Sequence, residues 1–262
     1  MKKEKIVAKD ANELRQIVED EIAKSGKTCD LNFIDVSAVT SMSHLFYDCG
    51  FNGDISQWNT SQVKNMSMMF YNSSFNGNIS QWDVSNVLDM NYMFCQSVFN
   101  SDISAWNVSN VNDMAYMFNN SQFNGDISGW KTLSVENMSG MFKDSQFNGD
   151  ISTWNVSMVK YMYKMFYNSQ FDGDISGWNV SEVENMVQMF FKSAFKGDLT
   201  GWYAINTKDT LAMFSYCGAP RPYWEKIEDF EERKETINVY HTKRSLEQKI
   251  EDKAEKRLIV KI

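Results

Sequence analysis

The sequence predicts an α/β solenoid of eight 24-residue coils, each a short strand plus a short helix, with helical caps at both ends. Three observations carry this. Tryptophan recurs at Trp58, Trp82, Trp106, Trp130, Trp154, Trp178 and Trp202, 24 residues apart each time. An aliphatic residue keeps step from Ile55 to Leu199, and a phenylalanine from Phe70 to Phe214. No insertion breaks the register, so each unit buries its apolar side only by stacking on its neighbours.

Residues 1–30 read as the N-terminal cap. EKIVAKD is a short strand, and Asp10 with Glu13 three residues on is a capping box opening a helix. Leu14, Ile17, Val18 and Ile22 give that helix one apolar face. Residues 31–219 hold the coils. The first is degenerate, with Ile34 at the tryptophan position and Phe46 at the phenylalanine position. In a typical coil, Trp154 to Ser157 alternates as a strand, with Trp154 and Val156 inward. Ser157 then caps a helix whose face is Val159, Met162, Met165 and Phe166. The stretch SQFDGD, 169–174, turns the chain back.

Residues 220–262 leave the repeat. Trp224, Ile227 and Phe230 predict a capping helix. Ser245 and Gln248 form a second capping-box pattern, opening a charged helix with Leu246, Ile250, Ala254 and Leu258 along one stripe. That stripe has three uses open to it: docking on its own chain, self-association with a second copy, or binding a different partner.

Charge narrows the function classes. The chain has 262 residues and a net charge of −8, which disfavours nucleic acid and anionic membrane as partners. The charge is uneven: residues 221–262 carry 11 basic and 10 acidic groups, residues 1–220 carry 15 and 24. No apolar run is long enough for membrane insertion. The N-terminus MKKEKIVAKD lacks the apolar core of a secretory signal, so a cytoplasmic location is expected; a removed leader would make it a surface protein. Cys29, Cys49, Cys95 and Cys217 show no metal-binding spacing and read as free buried thiols.

The consensus F-N-G-D-I-S-x-W-[ND]-V-S-x-V-x-x-M-x-x-M-F resembles the BspA-like leucine-rich repeat family of bacterial surface proteins and mycoplasma lipoproteins. The resemblance spans residues 31–219. It implies a leucine-rich-repeat-like solenoid whose relatives bind other proteins, host matrix components among them.

A repeat position becomes a column in space, and the columns are the candidate sites. Met and Phe columns read as core. The Asn column, from Asn52 to Asn148, reads as turn bonding. The Asp column, from Asp30 to Asp198, reads either as turn acceptors or as calcium ligands, and Asn78 interrupts it. The outward strand column includes Asn107, Asn155 and Asn179, and would form an exposed sheet face. Lys131, Leu133, Tyr203 and Ile205 break its uniformity, so they are partner-binding candidates. So are Met68, Tyr92 and Tyr116, which share one column on the predicted helix surface, and Leu246, Ile250 and Leu258 on the C-terminal stripe. Two distant histidines, His44 and His241, and no catalytic motif leave nothing to support an enzyme or a cofactor. The expected function is a non-enzymatic, protein-binding scaffold. Two alternatives stay open: an exported adhesin, and an acidic inhibitor that blocks a nucleic-acid-handling enzyme by charge mimicry.

Overall fold

The computed structural model describes residues 4–259, with side chains through residue 253. Strand β1 (Ile6–Val7) leads into helix α1 (Ala11–Ser25), and β1 pairs in parallel with β2 (Ile34–Asp35) in the first coil. Asp10 caps α1 as its position predicts: its carboxylate accepts from the N–H groups of Asn12 and Glu13 at 2.9 Å. Leu14 and Val18 are buried, and Arg15 donates to the carbonyls of Ser43 and His44, closing the open end of coil one.

Repeat stacks on repeat. Numbering the coils one to eight by the residue at the tryptophan position, from Ile34 to Trp202, each coil donates alternate N–H groups to the next. Met42, His44, Phe46 and Asp48 donate to the carbonyls of Asn65, Ser67, Met69 and Tyr71 at 2.8–3.0 Å. The same four bonds recur down to Met186, Gln188, Phe190 and Lys192 on coil eight. Parallel bridges mark this line from Ser41–Asn65 to Asn185–Asp209.

The ladder corrects the predicted coil. Among the described residues the only strands are β1 and β2, and Trp-Asn-Val-Ser is not one of them. The ladder runs instead through the segment predicted to be helical, which is a succession of turns. Two positions per coil are left-handed, from His44 and Asp48 (φ 60° and 50°) to Ala212 and Tyr216 (φ 55° and 59°). Stacking explains the choice. A helix is about 10 Å across, whereas bridged coils rise only about 4.8 Å each. Turns let this side rise at the same rate as the tryptophan side. A left-handed residue costs about 1–2 kcal/mol, and Asp or Asn at 48, 72, 120, 144 and 168 suits the conformation best. Valine and methionine at steps of three and four fit consecutive turns as well as a helix, which is why the spacing misled.

The interior consists of stacked identical side chains. Phe70, Phe94, Phe118, Phe142 and Phe166 stack at 5.6–5.9 Å, and a second column from Phe51 to Phe195 stacks beside it at 6.2–6.5 Å. Each of the seven repeat tryptophans donates its Nε1 to the carbonyl of the aliphatic residue 27 positions earlier, as Trp130 does to Ile103 at 3.2 Å. The indole both fills the core and fastens its coil to the preceding one. Buried serines Ser73, Ser97, Ser121, Ser145 and Ser193 each accept from the phenylalanine N–H two residues on, as Ser121 does from Phe123 at 3.1 Å.

The C-terminal end departs from prediction as well. A single helix, α2 (Phe230–Ile259), replaces the two expected. Trp224 and Ile227 precede it in turns, and Trp224 is fully buried over the last coil. The Ser245–Gln248 pattern lies inside α2 and starts nothing, since the helix already continues through it. Ile237 is buried, while every residue from Thr242 to Lys253 is exposed. The side chains of Ala254 and Leu258 lie outside the described residues. No described helix is long and apolar enough to cross a membrane.

Gly140 gives a local test of the stack. It occupies a left-handed position (φ 60°) that other coils fill with larger residues. An added Cβ would sit 2.3 Å from Cε1 of Tyr116, whose ring lies across the glycine. Gly140→Ala should therefore cost about 2–5 kcal/mol in urea unfolding, the ring clash added to the left-handed strain, and only the strain of about 1–2 kcal/mol when Tyr116→Ala is already present. An equal cost in both backgrounds would refute the ring contact as the cause.

Candidate functional site

The Asn and Asp columns are occupied by the turns. Asn52 Oδ1 accepts from Asn76 N, Asn76 from Asn100, and so on to Asp172, which accepts from Lys196 N at 2.7 Å. Each Asp accepts from the N–H two residues on, as Asp126 does from Ser128 at 2.9 Å. These bonds hold Asp54, Asp102, Asp126, Asp150 and Asp174 below the ordinary carboxylate range, and with them Asp83 and Asp198, where a side-chain hydroxyl bond contributes most. Asp35, bonded to Lys5 and Ser37, is lowered to about 2. Among the described residues no three acidic, His or Cys side chains converge as metal ligands would.

A pH dependence follows. Carboxylates whose folded pKa is depressed stabilise the fold fully above the unfolded value of about 4, and that contribution disappears as pH falls through the folded values. Asp89 alone runs the other way, raised by burial. The melting temperature should hold between pH 7 and 5 and drop between pH 4 and 2. A flat profile down to pH 2 would contradict these bonds.

The predicted sheet-face candidates separate. Lys131 and Leu133 are exposed, as are Asn107, Asn155 and Asn179, but all lie off the ladder. Thr132, between the two irregular residues, is buried and donates to the carbonyl of Asn155 at 2.8 Å. Tyr203 is engaged by its own chain: its hydroxyl donates to Asn238 at 2.6 Å, and its ring meets His241 at 4.9 Å. Its irregularity therefore marks the docking of α2. Ile205, beside it, is half-buried. On α2, Leu246 and Ile250 are exposed; the side chain of Leu258 is not described.

Met68, Tyr92 and Tyr116 do share a column, at left-handed turns on the outer face of the ladder. Tyr92 and Tyr116 stack at 4.7 Å, and burial pushes the Tyr116 phenol up to about 12. The repeat reading missed that further aromatics continue this face. Tyr47 stacks on Tyr71 at 4.9 Å and Tyr167 on Phe191 at 4.9 Å, while Phe191 meets Tyr216 edge-on at 5.3 Å. The signal was present in the sequence, three residues after the Met68 column and four for Tyr216, but a helix reading points those positions elsewhere. Lys143, Lys164 and Lys192 lie over the rings of Tyr163, Tyr167, Phe191 and Tyr216 at 4.8–5.9 Å. The ladder face is thus the variable, aromatic side of the molecule. His44, bonded to Ser43, lies in coil one and His241 on α2, at opposite ends.

The family described as "Mycoplasma protein of unknown function, DUF285" matches the chain in three overlapping stretches, residues 13–127, 74–170 and 119–230. No curated protein and no solved structure matches it.

Proposed function

This chain belongs to that Mycoplasma repeat family, and from that premise we propose that it is a non-enzymatic scaffold that binds another protein. In this reading the repeats form a BspA-like, leucine-rich-repeat-like solenoid, placed in the cytoplasm, whose rigid outer face is the recognition surface. One observation carries it. The interior positions are the same coil after coil, while the ladder face changes from Met68 and Tyr92 to Tyr167, Phe191 and Tyr216. A face under packing constraint alone has no need of that variety or of exposed aromatics.

The test is cross-linking of the tagged chain in lysate of its source cells, followed by binding with the purified partner. A chain ending after Thr242 keeps Arg233, Ile237 and His241 and so keeps its cap. Expected is a stoichiometric protein partner joined through coil residues and retained by the shortened chain. No partner, or one held only by residues 243–262, would defeat the reading.

One observation favours charge mimicry as a second reading. Asp102, Asp126, Asp150, Asp174 and Asp198 form an ionised row at one residue per coil, spaced roughly 5 Å like a polyanion. A partner whose affinity falls steeply with salt, and with Asp126→Asn plus Asp150→Asn, would decide for it.

A further inference from the structure

We infer that the ladder face of coils six to eight docks an acidic, aromatic- or leucine-containing segment of the protein partner; this rests on the scaffold reading above. The coils differ in how they use this face. In coils three and four, Tyr92 and Tyr116 are packed down, and the neighbouring charges Asp89 and Asp113 are acidic. In coil five, Lys143 is paired with Asp144. Beyond that point the column of Asp89 and Asp113 reads Tyr161 and Asn185, and turns acidic again only at Asp209 in coil eight.

Lys164 lies 4.8 Å from the Tyr163 ring and 5.4 Å from that of Tyr167. Lys192 lies 5.7 Å from Phe191 and 5.9 Å from Tyr216. Neither ammonium has a carboxylate partner among the described residues. Neighbouring Lys160 and Lys208 show the contrast, since they pair with Glu136 and Glu184 at 2.8 and 2.6 Å. On a chain of net charge −8, two uncompensated cations are held in place on aromatic rings on one face.

Packing accounts for rings that stack between coils. The edge-on contact with Phe191 still leaves Tyr216 80% exposed, and Leu211 is 70% exposed, both at the end of this face. Fixed cations beside exposed aromatic and aliphatic surface match carboxylates alternating with apolar side chains. Repulsion from the Asp row is screened beyond about 8 Å at physiological salt. Three rungs span roughly 10–15 Å, the length of about four extended residues. The motif is therefore short, with two acidic positions.

The probe is a fluorescein-labelled peptide of Glu-Tyr-Glu-Leu repeated three times, followed by anisotropy with the full chain. Its controls are the same peptide with Gln for Glu, and oligothymidylate of twelve nucleotides. Expected is binding of the acidic peptide in preference to the Gln peptide. Lys164→Glu with Lys192→Glu should weaken it about tenfold or more, and Tyr216→Ala should also weaken it. Lys24→Glu, on α1, should leave it unchanged, and circular dichroism should show every variant folded. Equal binding of the Gln peptide, or undiminished binding by the double variant, overturns the inference. So does tighter binding of oligothymidylate lost in the same variant, which would assign the face to phosphate. A concentration-dependent dimer lost in that variant would assign it to a second copy and overturn it too. If no acidic peptide binds while a cross-linked partner persists, this inference falls and the scaffold reading stands.

Discussion

Trp130→Ala should cost about 3–5 kcal/mol and loosen the junction of coils four and five. The indole is 2% exposed, stacks on Trp154 at 6.3 Å and lies 6.3 Å from Phe118. Its loss removes a large buried ring and leaves the Ile103 carbonyl without its donor. In a stack of repeats the damage stays local, because a coil contacts only its two neighbours. Urea unfolding should then show a lower midpoint and a broader transition, as the two halves separate in stability. Hydrogen exchange should speed up around residues 106–154 before it does at either end. Trp130→Phe separates the two contributions: it keeps most of the ring and loses only the N–H, at about 1–2 kcal/mol. A cost below about 1 kcal/mol for the alanine variant would mean that the tryptophan column does not hold the coils together.

The period, the coil count and the identity of the core columns are all legible in the sequence. Each follows from residues repeated every 24 positions, and repetition survives any error about local conformation. The conformation of the coil is less legible. Met162, Met165 and Phe166 face inward in a helix and in a run of turns alike, so inward-facing residues cannot distinguish them. What distinguishes them is where the backbone N–H groups go, and that depends on the neighbouring coil. The same error hid the candidate site. Tyr71, Tyr167 and Phe191 lie on the outer ladder face with Tyr92 and Tyr116 only because the segment is extended by left-handed turns. Tyr203 failed for another reason. Its departure from the repeat was visible, but its partner, Asn238 on α2, lies 35 residues on and outside any periodic pattern.

Arg233→Ala should undock α2 at a cost of about 3 kcal/mol. Arg233 is 3% exposed, an unusual place for a cation, and among the described residues no carboxylate bonds it directly. Its guanidinium donates instead to three carbonyls: Nη1 to Thr207 at 2.7 Å, Nε to Ile227 at 2.7 Å and Nη2 to Glu228 at 3.3 Å. Those acceptors belong to the last coil and to the turn leading into α2, so one side chain ties helix, turn and stack together. Burial pulls its pKa down, and the nearby charges of Asp209, Glu225 and Asp229 oppose that, keeping it charged. Alanine leaves three carbonyls facing a gap. The remaining attachments of α2 are buried Ile237, the Tyr203–Asn238 bond, the long His241–Trp202 contact and the ring contacts Tyr203–His241 and Tyr223–Tyr240, none of which replaces three hydrogen bonds to carbonyls. Hydrogen exchange at residues 230–241 should rise to the level of 242–253, while the coils from 58 to 178 stay protected. Lysine cannot replace the fork, because one ammonium cannot reach all three carbonyls in the plane a guanidinium spans, so Arg233→Lys should recover only part of the protection. If α2 stays protected in the alanine variant, the helix is held by its apolar contacts. The buried arginine would then matter to the turn at 227–228 rather than to the docking of the cap.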